Sequence, residues 1–201
     1  MGLHEFVSGL RRGHWILPAI IIAAATIIAL GGDDWRLALR FDRIWLAEGE
    51  TWRLVSGHLA HLSWAHLGLN LAGLLLVWFL VGERFDAAGW WIVIGATVTV
   101  INICFWVLDP ALIWYVGLSG LLHGLLSAGI VTKLKPPDGE TLLLAALLAG
   151  KLAWEQLSGP LPGSEITSGG PVVVNAHLYG ALGGVLGALL TRVRVISRAS
   201  I

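Results

Sequence analysis

The sequence predicts an all-α polytopic membrane protein, and its composition and apolar runs support that prediction. Hydrophobic residues make up 56% of the 201-residue chain, whereas charged residues make up only 13%. A soluble domain carries about 25% charged residues, so this chain has too little polar surface to cover itself in water. A bilayer core about 30 Å thick needs about 20 apolar residues per helix. Six stretches of the chain qualify as spans of this kind.

The predicted fold is a single domain over residues 1–201, built as a six-transmembrane-helix bundle. The connection between the first two spans is too long to be a plain connector. Its mixture of Trp and Leu with Arg and Asp suits short amphipathic pieces in the outer interface, although an ordinary surface loop is an equal alternative. The predicted spans are 15–32, 64–82, 87–108, 117–132, 141–157 and 172–191.

Basic residues predict how the bundle is oriented. With six spans, both termini and the loops after spans two and four share one side of the membrane. Because basic residues concentrate on the cytoplasmic side, both termini are predicted to be cytoplasmic. That side holds eight of the thirteen Lys and Arg residues: Arg11, Arg12, Arg84, Lys133, Lys135, Arg192, Arg194 and Arg198.

Composition also excludes several classes of protein and partner. Thirteen basic residues balance thirteen acidic ones, so nucleic acid is not an expected partner. Cys104 is the only cysteine, which excludes a disulfide scaffold. No H-E-x-x-H motif occurs, which argues against a metalloprotease. Neither a metal nor a cofactor is predicted.

Polar side chains inside the predicted spans are the candidate functional residues, because such groups are costly in a bilayer. All lie in the outward-facing halves of their spans and could converge on one site. His58 and His61 lie just before the second span and nearer the interface, where solvated histidines with a structural role are expected. The others are His66, Asn70, Ser119, His123, Lys151, Glu155, Asn175 and His177.

Ser119 is the candidate nucleophile. It lies between glycines where the fourth span begins, beside the unpaired N–H groups of a helix N-terminus, where an oxyanion is stabilised. The backbone of Ser119 and Leu118 would provide those donors. The alternative is a serine that hydrogen-bonds its own helix in a seam of small residues.

Two histidines compete as the base that a serine nucleophile needs. His123 is four residues further along the same helix face. His177 comes from the sixth span, where Gly180 and Gly184 form a seam that permits close helix packing. An interhelical pair can adopt the required distance and angle freely, so His177 is favoured as general base and acid.

The second span offers donors for the oxyanion. His66 and Asn70 are four residues apart and share one helix face. Both can donate hydrogen bonds without carrying charge, so they could bind the negative oxygen that develops during attack. The alternative is a polar pair that bonds to the backbone of a neighbouring helix.

Four short motifs occur in the order found in a known family. They are Glu50-x-Trp52-Arg53, His66-x-x-x-Asn70, Gly117-x-Ser119-Gly120 and Ala176-His177-x-x-Gly180-x-x-x-Gly184. Over residues 45–189 this set resembles the rhomboid intramembrane serine proteases, and His61 lies where that family has a structural histidine. The resemblance implies a rhomboid-like fold and a serine endopeptidase that uses a Ser119–His177 dyad within the bilayer.

A narrower resemblance is to the rhombosortase branch. Residues 115–124 and 172–180 are similar to that branch, as is Lys151-x-x-x-Glu155. Typical rhomboids carry a small apolar residue where this chain has His123, and this difference also favours the narrower branch. This resemblance implies a bacterial inner-membrane enzyme whose site opens to the periplasmic side. Its implied substrates are exported proteins with a C-terminal Gly-Gly sequence, a transmembrane anchor and a basic tail.

Lys151 and Glu155 have two interpretations. At i,i+4 on one helix they can neutralise each other as an internal ion pair near the outer interface. Alternatively, they form an accessory subsite for the Gly-Gly region of the substrate.

Two other functions remain open on the sequence. A haem-binding redox protein would use histidines from facing helices as axial ligands, but it leaves Ser119 and Asn70 unused. A catalytically inactive rhomboid-like binding module is disfavoured because both Ser119 and His177 are present. The haem ligands would come from His61, His66, His123 and His177.

Overall fold

The computed structural model describes residues 15–134 and 136–199, with side chains as far as Thr191. Three of the basic residues that set the predicted orientation lie outside this part of the chain. They are Arg11, Arg12 and Lys135. The side chains of Arg192, Arg194 and Arg198 also lie outside it.

Helices dominate the described chain, and each predicted span overlaps one long helix. In chain order the helices are α1 (Ile16–Leu30), α2 (Gly32–Leu39), α3 (Arg43–Ala47), α4 (Arg53–Ser56), α5 (Trp64–Val81), α6 (Ala87–Val107), α7 (Ser119–Thr132), α8 (Gly139–Ser158), α9 (Ser164–Ser168) and α10 (Asn175–Ala199). The long helices are α1, α5, α6, α7, α8 and α10, and a 3₁₀ turn at Gly82–Arg84 follows α5.

Only some of the long helices in the described chain are both long enough and apolar enough to cross a membrane. In the described chain, Trp64–Arg84 and Ala87–Val107 are each long and apolar enough to cross a bilayer. Helices α1 and α2, bent by 119° at their junction, would make a third span if counted together. The structure therefore supports a membrane protein, while the crossing of the bilayer by all six long helices stays a prediction.

Several long helices begin where local side chains can cap them. Ser63 accepts a hydrogen bond from the His66 N–H at the start of α5, and Asp86 accepts one from Gly89 N–H at the start of α6. Asp138 accepts one from Thr141 N–H before α8. These side chains satisfy backbone donors that a helix leaves unpaired in its first turn.

The long connection between α1 and α5 contains three short helices and one strand. The strand β1 (Phe41–Asp42) pairs antiparallel with β2 (Trp114–Tyr115) over two residues each, a short feature that the sequence did not predict in a chain that is mostly helical, as predicted. The guanidinium of Arg43 supports the pairing, since it donates to four carbonyl oxygens between residues 105 and 112 at 2.5–3.5 Å. The placement of this segment in the bilayer interface stays a prediction.

Arg53 fixes the other end of that segment. Its buried guanidinium pairs with Glu50 at 2.6 Å and donates to the carbonyl oxygens of Leu37 and Arg40. The Asn102 amide of α6 donates to Leu54 O at 2.8 Å. These bonds tie α2 and α4 to each other and to the helix bundle.

Helix α10 packs against α6 and α7 through glycines on two of its faces. A Cβ atom built on Gly180 or Gly184 would overlap a backbone carbonyl oxygen of α7. On the other face, a Cβ on Gly183 or Gly187 would lie 2.6–2.7 Å from a Cα atom of α6. Because no side chain larger than hydrogen fits at these positions, the backbones approach as closely as small-residue seams allow.

A methyl group in this seam should destabilise the fold. Gly184→Ala would direct its Cβ into the Gly124 carbonyl oxygen, and overpacking of this kind costs about 1–3 kcal/mol. We expect a lower thermal unfolding midpoint in detergent for Gly184→Ala. The matched control is Gly95→Ala on α6, which has no atom within 4 Å of the added Cβ. Equal midpoints for the two variants would contradict close packing at Gly184.

Candidate active site

Ser119 is the first residue of α7, and the backbone before it is held in an unusual turn. Gly117 has φ +133°, a conformation that residues with a side chain rarely adopt. The Tyr115 hydroxyl donates to Gly117 O at 2.6 Å, and Gly117 N–H donates to Gly57 O at 3.1 Å. Residues 115–118 are buried, so the turn that presents the Ser119 hydroxyl is fixed from several sides.

The His177 ring lies against the Ser119 hydroxyl. Its Nε2 atom is 2.8 Å from Ser119 Oγ, and the His177 residue is 5% exposed. The close backbone packing of α7 and α10 produces this contact, because a Cβ on Gly120 would lie 2.9 Å from Ala176 O. At the start of α10, Asn175 Nδ2 also donates to Asp109 Oδ1 at 2.9 Å.

His123 contacts the same two residues in a different way. Its Nδ1–H donates to the backbone carbonyl oxygen of Ser119 at 2.7 Å. Its ring stacks on the His177 ring, with centroids 4.3 Å apart and planes 15° from parallel. Of the two competing histidines, the structure therefore places His177, and not His123, at the Ser119 hydroxyl.

Glu155 joins the second nitrogen of His177 to Lys151. Its Oε2 atom is 2.8 Å from His177 Nδ1, and its Oε1 atom accepts from Lys151 Nζ at 2.7 Å. The Glu155 side chain is 2% exposed and that of Lys151 is 30% exposed. The i,i+4 spacing indicated the ion pair within α8 but not the contact with His177. The only sequence signal for that contact was the shared position of both residues in the outer halves of their spans.

The hydrogen bonds define the protonation of the neutral His177 ring. Nε2 can accept from the Ser119 hydroxyl only if the ring proton is on Nδ1, and Nδ1–H then donates to the Glu155 carboxylate. Lys151 Nζ lies 3.3 Å from Nδ1. In this tautomer Lys151 Nζ and His177 Nδ1 are both donors, so no hydrogen bond joins them and their interaction is only electrostatic. The Lys151 ammonium hydrogen-bonds to Glu155 instead.

The two side chains predicted to stabilise the oxyanion, His66 and Asn70, lie on α5. A Cβ on Gly117 would be 3.2 Å from His66 Nε2, so the His66 ring lies beside the turn that precedes Ser119. Asn70 is 5% exposed, and Gly73, almost one turn further along, packs against Leu122 of α7. Within the described chain, the Asn70 amide makes no side-chain hydrogen bond to another residue.

His58 and His61 lie outside the predicted spans, but they are buried, with exposed fractions of 2% and 7%. The expectation that they are solvated is therefore wrong. The bond from Gly117 N–H to Gly57 O draws this segment inwards, and His58 packs edge-on against Tyr115. Burial lowers the pKa of His58 to about 4 and that of His61 to about 3, so both rings are neutral at pH 7.

The residues around His177 also indicate whether a metal ion or a haem could bind at this site. His123, Glu155 and His177 offer ligand atoms within 4.8 Å of one another. The Lys151 ammonium already provides a positive charge there, which disfavours a divalent cation. Ligation of one haem by two histidines needs their rings on opposite faces of the porphyrin, whereas the His123 and His177 rings are stacked in direct contact. This geometry does not fit the haem alternative for that pair.

Comparison with known families agrees with the motifs. A profile of the Rhomboid domain matches residues 48–194, almost three quarters of the chain. The chain belongs to the rhomboid family. Rhomboid members are serine proteases that act on membrane-protein substrates within the bilayer, so the predicted resemblance is confirmed for the family. Among curated proteins, none matches this rhomboid chain.

Proposed function

We propose that this rhomboid protein is an active intramembrane serine endopeptidase, with Ser119 as nucleophile and His177 as general base and acid. The observation that supports the proposal is the 2.8 Å separation between Ser119 Oγ and His177 Nε2 at a partly buried helix start. A hydroxyl becomes a useful nucleophile when a base within hydrogen-bond distance takes its proton.

The proposed reaction follows from these two side chains. Ser119 Oγ attacks the carbonyl carbon of the scissile peptide bond while its proton passes to His177 Nε2. His177 then gives that proton to the leaving amine nitrogen as the C–N bond breaks, which leaves an acyl ester on Ser119. A water molecule attacks the ester and gives its proton to Nε2, and that proton returns to Ser119 Oγ as the acid product is released.

The N-terminus of α7 and the facing side of α5 would stabilise the oxyanion. The first intrahelical bond runs from Leu122 N–H to Leu118 O, so the N–H groups of Leu118 and Ser119 precede the bonded part of the helix. His66 lies beside Gly117, and Asn70 adds an amide donor from the same face of α5. We assign all four donors to the pocket for the developing negative charge.

The length of α7 supports cleavage below the membrane surface. Its 14 residues extend about 21 Å at 1.5 Å per residue, which is shorter than a bilayer core of about 30 Å. If Thr132 lies at the cytoplasmic boundary, Ser119 lies inside the bilayer and opens to the periplasmic side. The irregular residues 115–118 are buried in protein, as non-helical backbone at this depth must be.

We further propose the rhombosortase substrate class in a bacterial inner membrane, with both termini cytoplasmic. The similarity of residues 115–124 and 172–180 to that branch supports this proposal. So does the unusual cluster at the site, where His123, Lys151 and Glu155 all contact His177 or its partners. The substrate would be an exported protein with a C-terminal Gly-Gly sequence, a transmembrane anchor and a basic tail.

Labelling with a fluorophosphonate probe tests the Ser119–His177 assignment. The probe reacts with an activated serine, so we expect the wild type to be labelled and Ser119→Ala to be unlabelled. His177→Ala should also lose labelling because it removes the base, whereas His123→Ala should retain more. Mass-spectrometric detection of the adduct measures all four proteins.

Thermal unfolding in detergent provides the control, because each variant must remain folded for its labelling to be informative. A folded, unlabelled wild type would favour the inactive binding module. A His123→Ala variant that loses more labelling than His177→Ala would assign the base to His123.

A second prediction concerns Asn70. An oxyanion donor acts mainly in the transition state, and its loss in soluble proteases lowers kcat by about 10²–10³. We expect a smaller fall in kcat for Asn70→Ala, about tenfold, because the backbone N–H donors near Ser119 would still stabilise the oxyanion. Substrate-cleavage kinetics check this prediction, and a change confined to KM would show that Asn70 binds substrate instead.

A further inference from the structure

Glu155 is the only carboxylate among the described residues that contacts either candidate catalytic side chain. Its two oxygens are divided between His177 Nδ1 and Lys151 Nζ. With 3% of its surface exposed, Glu155 has little water to compete for these bonds. A buried carboxylate is stable only when charge and hydrogen bonds compensate it. Here the Lys151 ammonium compensates one oxygen and the His177 ring hydrogen-bonds to the other.

We propose that Glu155 is a positioning residue that extends the dyad to a Ser119–His177–Glu155 triad, and that Lys151 holds Glu155 in place. This inference rests on the proposed function. By accepting from Nδ1–H, Glu155 keeps Nε2 free to accept the Ser119 proton, as the carboxylate does in soluble serine proteases. The His123 ring stacks on one face of the His177 ring and therefore restrains the His177 ring from tilting towards that side.

Lys151 gives this triad a distinctive charge balance. Its ammonium pairs with Glu155 and lies 3.3 Å from His177 Nδ1. It therefore opposes positive charge on the His177 ring while it stabilises the negative charge on Glu155. The net effect of Glu155 on His177 is then mainly to fix the tautomer and orientation of the ring.

The charge balance predicts an unusual effect of Glu155→Gln. Lys151 can only donate, so it should attract the oxygen of the new amide and turn the amide NH₂ group towards His177 Nδ1. Nδ1 must then accept, which places the ring proton on Nε2 and blocks proton transfer from Ser119. We expect the rate of fluorophosphonate labelling and kcat to fall on the order of 10²- to 10⁴-fold, with KM unchanged.

Adding Lys151→Met to the Glu155→Gln variant should partly reverse this loss. Without the ammonium, the amide introduced by Glu155→Gln is free to rotate, and its oxygen can accept from Nδ1–H. The double variant should therefore be labelled faster than Glu155→Gln alone. A purely structural ion pair predicts no such recovery, so a double variant that is labelled no faster would overturn the inference.

The matched control is Glu140→Gln, the same substitution at the start of α8, where the side chain is 56% exposed. It should be labelled at the wild-type rate. The probe carries no Gly-Gly sequence, so a Glu155→Gln variant with normal labelling and a raised KM would assign Glu155 to the substrate subsite instead. Normal labelling with normal kinetics would also overturn the triad.

A measurement on the unmodified protein keeps the inference testable if Glu155→Gln does not fold. In ¹⁵N spectra of histidine-labelled protein, with His177 assigned from His177→Ala, we expect the Nδ1–H tautomer of His177. The Nε2–H tautomer would overturn the triad. An unlabelled, inactive wild type contradicts the proposed function, whereas an active wild type with an active Glu155→Gln variant contradicts only the role of Glu155.

Discussion

The close approach of α7 and α10 is the constraint on which the rest of the site depends. Gly180 and Gly184 face carbonyl oxygens of α7 so closely that neither position has room for a methyl group. Within this seam Ser127 Oγ donates to Ala181 O at 2.7 Å. Because the two backbones are fixed in this register, a serine at the start of one helix meets a histidine in the first turn of the other.

The polar groups that meet there compensate one another inside the helix bundle. Lys151 pairs with Glu155, which bonds to His177, which bonds to Ser119. Removing any member would leave a polar atom without its partner in a region where water is scarce, and such groups are costly. The same chain of bonds that makes these residues tolerable in the bundle also orients the ring and hydroxyl for the proton transfer that we propose.

The sequence predicted those features that depend on local pattern. Apolar runs placed the long helices, and the Gly180–Gly184 spacing indicated which helices press together at Ser119. It could not predict contacts that depend on which helix faces meet. The Glu155–His177 bond is one such contact, because the spacing of Lys151 and Glu155 explained both residues without a partner on α10. The burial of His58 is another, since it depends on a backbone bond between Gly57 and Gly117.

We propose that the α7–α10 seam holds Ser119 and His177 together as the reacting pair. A crystal structure of the fluorophosphonate adduct, grown from lipid, tests it most directly. We expect phosphorus bonded to Ser119 Oγ, with the His177 ring still against that oxygen and Gly184 still against the α7 backbone. An adduct on another residue, or an Oγ adduct with His177 turned away and α10 separated from α7, would contradict it.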